Sequence, residues 1–487
     1  MKSKIIIFLI AALSIFLLWI LFSYKLTAVP PGINGDESAI AYNSVLLSRT
    51  LRDSNGRFLP FFVLSYGFDW HQPVTMYFDT LLFKIFLPSF FLLRASSIFI
   101  AILSSVLIFY LLNKLINQKI AFLGSVLFVT TPAIMIHSHI ALENIMLLPF
   151  VIGWLIFTYL YSRQNNKFRY ILFAGILLGF GFYSYKGMRL IVTIWSCLTI
   201  IYLLIINHPN INNQLKSVAI FILGLLPFFL IIPVLELKYA GAVFDNKGLS
   251  SISYDMFLYR YLSVFDPSFL FVKGDKVILH STGRHGMLLA ASLPLFIIGA
   301  YQSIKQKGFF LFSLAAFITA PLLFGFIDSV YRASRLLALI PPYIVITSLG
   351  VLFLWNQKRR NLFLIPIFLL IFVNYFDFVN FYWNSYPELY KTSEGFQTSP
   401  SDYYDLFIKE ARYRNLTPVV EETIYNGDGY ASKFFLSILT PKVVLWNYGS
   451  EVPEKSILLT LSDKVPNMKK LEKSFNGHNI FVPEIVH

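Results

Sequence analysis

The chain has 487 residues, of which 56% are hydrophobic and 14% charged, with a mean hydropathy of +0.64 and a net charge of +14. Soluble domains carry roughly a quarter charged residues, and a soluble chain this long would split into about three domains needing more charged surface than this composition supplies. A soluble protein is thus excluded, and the 50 Phe and 28 Tyr exclude intrinsic disorder. The single cysteine, Cys197, excludes an intramolecular disulfide and a cysteine-based zinc site.

Eleven apolar runs approach the roughly 20 residues that a bilayer crossing requires: 5–23, 93–112, 120–137, 141–160, 170–185, 189–206, 217–235, 287–303, 309–327, 335–355 and 361–379. They predict an all-α polytopic membrane protein with eleven transmembrane helices. The first run follows Lys2 and Lys4, and no small-x-small cleavage site precedes Pro30-Pro31, so it reads as an uncleaved anchor.

With the N-terminus on the cytoplasmic side, the inner segments contain Lys2, Lys4, Lys114, Lys119, Arg163, Lys167, Arg169, Lys216, Lys305, Lys307, Lys358, Arg359 and Arg360, and no Asp or Glu. This is the positive-inside pattern of a multi-pass protein of the cell membrane. It accounts for much of the positive charge without invoking nucleic acid. The predicted transmembrane unit is 1–380, with large outer loops at 24–92 and 236–286. The more polar remainder, 381–487, has a helix-like stretch at 401–414, a turn signal at Asn426-Gly427-Asp428-Gly429 and strand-like runs at Val443–Trp446 and Ile457–Leu459. It predicts a small C-terminal α/β domain on the extracytoplasmic side.

The first outer loop opens with a Pro/Gly turn and a helical pattern that places Ile40, Ser44, Leu47 and Leu51 on one side. Asp36 and Glu37 begin this helix, where a carboxylate can cap it or complement its dipole. Consecutive helical residues point about 100° apart, so the two acids should not share one ligand face, and Asp36 is the better catalytic candidate. Farther on, Asp69 and His71 precede an amphipathic stretch, 74–90, interrupted by Asp79 and Lys84, which reads as an interfacial helix. Asp69 and His71 are candidates to line a polar site.

Glu143 begins the fourth apolar run, where an acid needs a partner or a water-filled cavity. His137 and His139, two positions apart on a short turn, are a weak zinc signal. Lys186 and Arg189, and then Arg332 and Arg335, are outer-side cations that run against a simple positive-inside tally. Phosphate is a natural partner for such groups; snorkelling to headgroups accounts less easily for all four.

These features together resemble the GT-C superfamily of polytopic glycosyltransferases, in particular the bacterial Rgt-like branch, related to protein O-mannosyltransferases and aminoarabinose transferases. The resemblance covers about residues 1–390 and rests on the order of several motifs: Gly35-Asp36-Glu37, then His71-Gln72-Pro73-Val74 leading through Leu81–Phe86 to Arg94. Glu143 stands where a second acid is expected, followed by Tyr185 to Arg189, Phe269-Leu270-Phe271 with Gly274-Asp275, and Arg335 before Pro341. Gln72 departs from a second Pro common in the family, and aminoarabinose transferases carry a Lys in the region of His71. The resemblance implies an inverting transfer of a sugar from a polyprenyl-phosphate donor to an outer lipid, glycan or protein acceptor. In it Asp36 is the general base, Glu143 a second catalytic acid, and Glu37, Asp69, His71, Lys186, Arg189 and Arg335 bind substrate. A divalent ion shared by Asp36 and Glu143 is an option it leaves open. The competing expectations are a transporter or flippase of lipid-linked saccharides, which would place ionisable sites at mid-membrane, and an envelope scaffold without catalysis.

Overall fold

The computed structural model describes residues 2–484 other than 165–166, 208, 245–251, 327–329, 395–399, 428, 440–442 and 472–477. The turn residue Asp428 and, upstream of Arg332, Asp328 and Ser329 lie outside the described residues.

All eleven apolar runs are helical, because a backbone in hydrocarbon must satisfy its own polar groups. Among the described residues six helical stretches are long and apolar enough to cross a bilayer: Phe90–Leu115, Glu143–Arg163, Met188–Ile206, Ile211–Lys238, Leu337–Trp355 and Arg360–Asn384. A seventh is the pair Gln118–Val129 and Pro132–Ser138, bent by 60° where Pro132 restarts the chain. Of the other four runs, the first lies in a 22-residue helix, Lys2–Ser23, and three give shorter apolar helices: Arg169–Phe182, Leu293–Gln306 and Gly308–Thr319. Among the described residues, six or seven of the eleven expected crossings thus meet the length of a full span. Exposed Leu223, Leu230, Val234 and Leu237, and Leu362, Ile365, Leu369 and Phe372, stud the outer faces of Ile211–Lys238 and Arg360–Asn384. Apolar side chains in such numbers on an outer surface face lipid.

Within the bundle, small residues let helices approach. A Cβ on Gly350 would lie 2.0 Å from the Leu295 carbonyl oxygen, and one on Gly299 would lie 1.9 Å from that of Ile346. Leu293–Gln306 and Ile340–Trp355 therefore meet backbone to backbone there, as membrane helices do at small residues.

After the first helix, α1 (Lys2–Ser23), the outer loop folds into α2 (Gly35–Thr50), a hairpin of β1 (Val63–Ser65) and β2 (Asp69–His71), and α3 (Pro73–Ile85), before α4 (Phe90–Leu115). The hairpin turn places Tyr66 and Gly67 at φ 55° and 78°, and such a turn matches the natural strand twist. The helix predicted for 74–90 ends at Ile85, and Asp79 is not at a headgroup surface but fully buried. Burial pushes its carboxyl up to about 8, which keeps it neutral.

Arg94, on α4, holds this loop. Its Nε donates to Glu37 Oε1 at 2.8 Å and one Nη to Glu37 Oε2 at 3.1 Å, while the remaining donors reach the carbonyls of Leu26, Pro30 and Gly32. Both side chains are buried.

The C-terminal part forms a mixed five-stranded sheet in the order β4-β3-β5-β7-β6, from β3 (Thr417–Glu421), β4 (Val444–Trp446), β5 (Ser456–Thr460), β6 (Met468–Lys470) and β7 (Asn479–Pro483). β3 is parallel to β4 and β5, while β7 is antiparallel to β5 and β6. Helices Pro400–Tyr413, Glu422–Gly427 and Gly429–Leu439 accompany it. Gly429–Leu439 docks on α2: Arg49 donates to the Ser437 carbonyl at 3.1 Å, and the rings of Tyr42 and Tyr430 lie 6.0 Å apart.

Removing one partner of a buried ion pair leaves an uncompensated charge, at a cost of about 3–5 kcal/mol. Arg94→Ala is expected to lower the thermal unfolding midpoint of the detergent-solubilised protein sharply. A midpoint unchanged from wild type would show that the pair does not brace the loop.

Candidate active site

Asn34, rather than Asp36, caps α2: its side chain accepts from the Asp36 amide at 2.8 Å, and Glu37 returns a bond to the Asn34 amide at 3.3 Å. With capping delegated to its neighbours, the Asp36 carboxylate is not spent on the helix end. Glu37 turns the other way. Its Oε1 accepts from Arg94 and the Ala141 amide, and its Oε2 from Arg94 and the Asn34 amide. The substrate-binding role expected for Glu37 therefore has no vacant oxygen to act through, and the structure places this side chain in the framework.

Asp36 sits in a recess with Asp69, His71, Glu143 and Lys186 close enough to act on its charge. Burial within the recess raises its carboxyl above the usual carboxylate range, with Asp69 and Glu143 adding to the rise and His71 and Lys186 opposing it. A raised carboxylate pKa is a property suited to a base.

The hairpin supplies the next two groups. Asp69, first residue of β2, accepts from Lys186 Nζ at 2.5 Å. Burial alone would raise the Asp69 carboxyl, but Lys186, and then His71, bring it below its ordinary value. Two residues on, on the same strand face, His71 Nδ1 lies 3.4 Å from Glu143 Oε1. Burial disfavours a charged imidazole, yet Glu143, then Asp69 and Asp36, raise its pKa above the usual value. Its Nε2 is buried with no protein partner among the described residues.

Glu143 begins a 3-10 turn that leads into Leu148–Arg163, and Oε1 also accepts from the Gln72 amide at 2.6 Å. Gln72 in turn accepts from Arg189 at 2.8 Å, and Arg189 donates to the Val243 carbonyl at 2.6 Å. The departure at position 72 thus provides a side chain that positions Arg189.

Behind Glu143 lies a second group. Burial raises the phenol of Tyr185, opposed by Arg335 and Arg332 and reinforced by Glu143 and Asp275. Asp275 follows Gly274, whose φ of 76° and close packing against Ser281 and the His285 carbonyl exclude a side chain. Its carboxylate accepts from the amides of Val277 at 2.9 Å and Ala333 at 2.6 Å, tying the outer loop 236–286 to the turn bearing Arg332 and Arg335. Burial, His137, Arg332 and Arg335 push the His280 imidazole well below its usual pKa, so it stays neutral. Its ring stacks on His137 at 5.2 Å. His139 instead faces the Val29 carbonyl, at 3.1 Å.

Of the eight candidate residues, the structure brings six to one neighbourhood: Asp36, Asp69, His71, Glu143, Lys186 and Arg189. Arg335 belongs to the second group, linked through Tyr185, and Glu37 to the framework. The positioning parts Gln72, Tyr185 and Asp275 lay inside the quoted motifs, whereas Arg332 and His280 had only their charge and type as signals.

Among the described residues no group of three or more His, Cys, Asp or Glu side chains gathers to hold a metal, and Glu143 Oε1 is engaged by His71 and the Gln72 amide. Magnesium is commonly held by one or two carboxylates together with substrate phosphate, so an ion shared by Asp36 and Glu143 would need the donor phosphate to complete its ligands.

Beside the recess an apolar cavity of about 390 Å³ lies between the outer loop and the bundle, lined by Phe61, Pro73, Val74, Phe180, Tyr183, Pro227, Phe228 and Ile231. Pro73 and Val74 follow His71 and Gln72 directly, so one short stretch borders both spaces.

Residues 70–236 match a family model described as dolichyl-phosphate-mannose-protein mannosyltransferase. No curated protein sequence matches the chain. Among solved structures, the chain is similar to ArnT from Cupriavidus metallidurans bound to undecaprenyl phosphate, with a TM-score of 0.58 and 10% identity over 97% of each chain. It is also similar to the same enzyme in the apo state, with a TM-score of 0.57 and 11% identity over 99% of this chain and 97% of that one. The chain thus shares its fold from end to end with ArnT, and over residues 70–236 it matches the mannosyltransferase family model.

Proposed function

We propose that this protein transfers a sugar from a polyprenyl-phosphate donor to an acceptor hydroxyl on the extracytoplasmic side, with inversion at the anomeric carbon. The observation that carries the reading is the junction of two unlike spaces. A recess holding Asp36 and several cations adjoins an apolar cavity at Phe61, Pro73 and Val74. A donor with a charged head and an isoprenoid tail needs that combination, and each buried methylene contributes about 0.8 kcal/mol to keeping the tail in place.

In this reading Asp36 accepts the proton of the acceptor hydroxyl. The oxygen attacks the anomeric carbon as the bond to the phosphate oxygen breaks, and polyprenyl phosphate leaves with the bonding electrons. Phosphate departs without a general acid, so the site needs positive charge opposite Asp36 instead. Lys186 and Arg189 supply it nearby, beside the His71 imidazole, whose pKa lies above its usual value in spite of burial, and Arg335 and Arg332 supply it from the second group. Lys186 and Arg189 are already oriented by Asp69 and Gln72, which lowers the reorganisation that transfer demands. Glu143 orients His71 and the Gln72 backbone.

Asp36→Asn keeps the size and loses the proton acceptor. It is expected to insert normally and to reduce transfer by about 10²–10⁴-fold in membranes supplied with polyprenyl-phosphate sugars. Full transfer by this variant would overturn the assignment.

A base works when deprotonated, so activity falls as pH drops through the Asp36 pKa, which lies above the ordinary carboxylate range. Asp69 raises that pKa, and removing its negative charge in Asp69→Asn is expected to move the acid limb of the kcat profile to lower pH. An unmoved limb, or a shift upward, would place the titrating base elsewhere.

Filling the apolar cavity with Val74→Trp is expected to raise KM for long-chain donors several-fold and leave that for a short, water-soluble analogue unchanged. Equal effects on both would remove the cavity from the donor-binding account.

A further inference from the structure

The C-terminal sheet sends alternate side chains to opposite faces. Val420, Ile457, Leu459, Ile480 and Val482 join the core packed on Pro400–Tyr413 and Gly429–Leu439, the layer that docks on α2. Val419, Leu458 and Phe481 turn to the other face, where Trp446, Val452, Val465 and Met468 cover them. That cover comes from β4, β6 and the connections before and after β5, and it leaves a cavity of about 710 Å³. The volume falls in the range of small-ligand sites, and the sheet with its helical layer stands between this cavity and α2.

The chemistry of the walls narrows the ligand. The Trp446 indole is buried and fixed, its Nε1 donating to the Ser450 carbonyl at 3.0 Å. Tyr448, 74% exposed, stands edge-on to it with ring centroids 5.9 Å apart. An aromatic face this open offers a platform for the C–H face of a flat ring, while the rest of the wall offers hydrogen-bonding groups of both kinds. Glu451 and Glu454 are balanced by Lys455 and Lys464, so the lining carries no net charge and fits a neutral ligand. Lys455 holds a φ of 53°, in the left-handed region, and side chains kept there against preference occur at ligand clamps.

We propose that this cavity is a binding site for a neutral oligosaccharide, with Tyr448 as the stacking platform, backed by the fixed Trp446, and Glu451 and Asn467 among the groups that bind hydroxyls. It goes beyond the transfer reading: the site would tether a glycan on the far side of the sheet from Asp36.

The test titrates the full-length protein in lipid nanodiscs with mannotriose, maltotriose and chitotriose, and with an uncharged peptide of similar size. At least one trisaccharide is expected to bind saturably, and Tyr448→Ala to weaken it about tenfold or more, equivalent to about 1.4 kcal/mol. Tyr448 lies at the surface, so this variant should keep the wild-type unfolding midpoint and the Asp36-dependent transfer rate to a small soluble acceptor. Absence of saturable binding to any trisaccharide, unaltered binding by Tyr448→Ala, or tighter binding of the peptide would each overturn the proposal. Because Asp36→Asn is expected to retain saccharide binding, failure of the transfer reading and failure of this one give different results.

Discussion

Glu37 and Arg94 make a doubly bonded ion pair with almost no access to water, and each also binds backbone on other segments. The guanidinium gathers the carbonyls of Leu26, Pro30 and Gly32, so the chain leaving α1 is drawn onto α4. The carboxylate reaches the amide of Ala141, just before Glu143. One pair thus fixes the start of α2, the entry to α4 and the approach to Glu143. Burying two charges repays its desolvation cost only where the remaining donors and acceptors are satisfied, and here they are. The consequence for the site is separation of labour between adjacent acids, with Glu37 spent on geometry and Asp36 left to the recess.

The recess follows a related economy. Three acids and two cations stand within mutual influence, and their pKa directions diverge: Asp36 is raised, Asp69 lowered, His71 raised. Groups of like type acquire different protonation behaviour because each faces a different partner, which is how one site holds a base and cations together at one pH. Arg189 and Lys186 are held by Gln72 and Asp69, on or beside the short hairpin strand β2. The hairpin and the adjacent turn thereby connect the outer loop to the helix Met188–Ile206 and its preceding turn. The apolar cavity begins where the same segment passes Pro73.

The C-terminal sheet relates to this centre through one face. Its helical layer meets α2 through Gly429–Leu439, so the helix that presents Asp36 is supported from above as well as by Arg94. A sheet covered by helices on one side must cover the other with something else, and here short connections do so incompletely. The alternation of side chains along five strands thus gives the sheet one face packed on helices and one face that borders a cavity.

Much of the architecture is written locally. The apolar runs determine where helices form, since hydrocarbon leaves the backbone no other partner, and the cations between them carry the side preference. The strand and helix segments of the tail follow from patterns only a few residues long, and β4, β5 and Pro400–Tyr413 formed close to where those patterns lie. Local pattern could not say which helices run the full crossing, where α3 stops, or that Asp79 turns inward. Those outcomes depend on which neighbours cover a given face. The site residues were legible as types, a carboxylate at a helix start or a cation on the unexpected side, but their assignment was not. Lys186 meets Asp69, and Arg189 meets Gln72, across 117 residues of sequence in each case. Helix geometry sets Asp36 and Glu37 on different faces, but which of them becomes a brace depends on such distant contacts: Glu37 meets a guanidinium from α4, Asp36 does not, and the packed tertiary structure decides that.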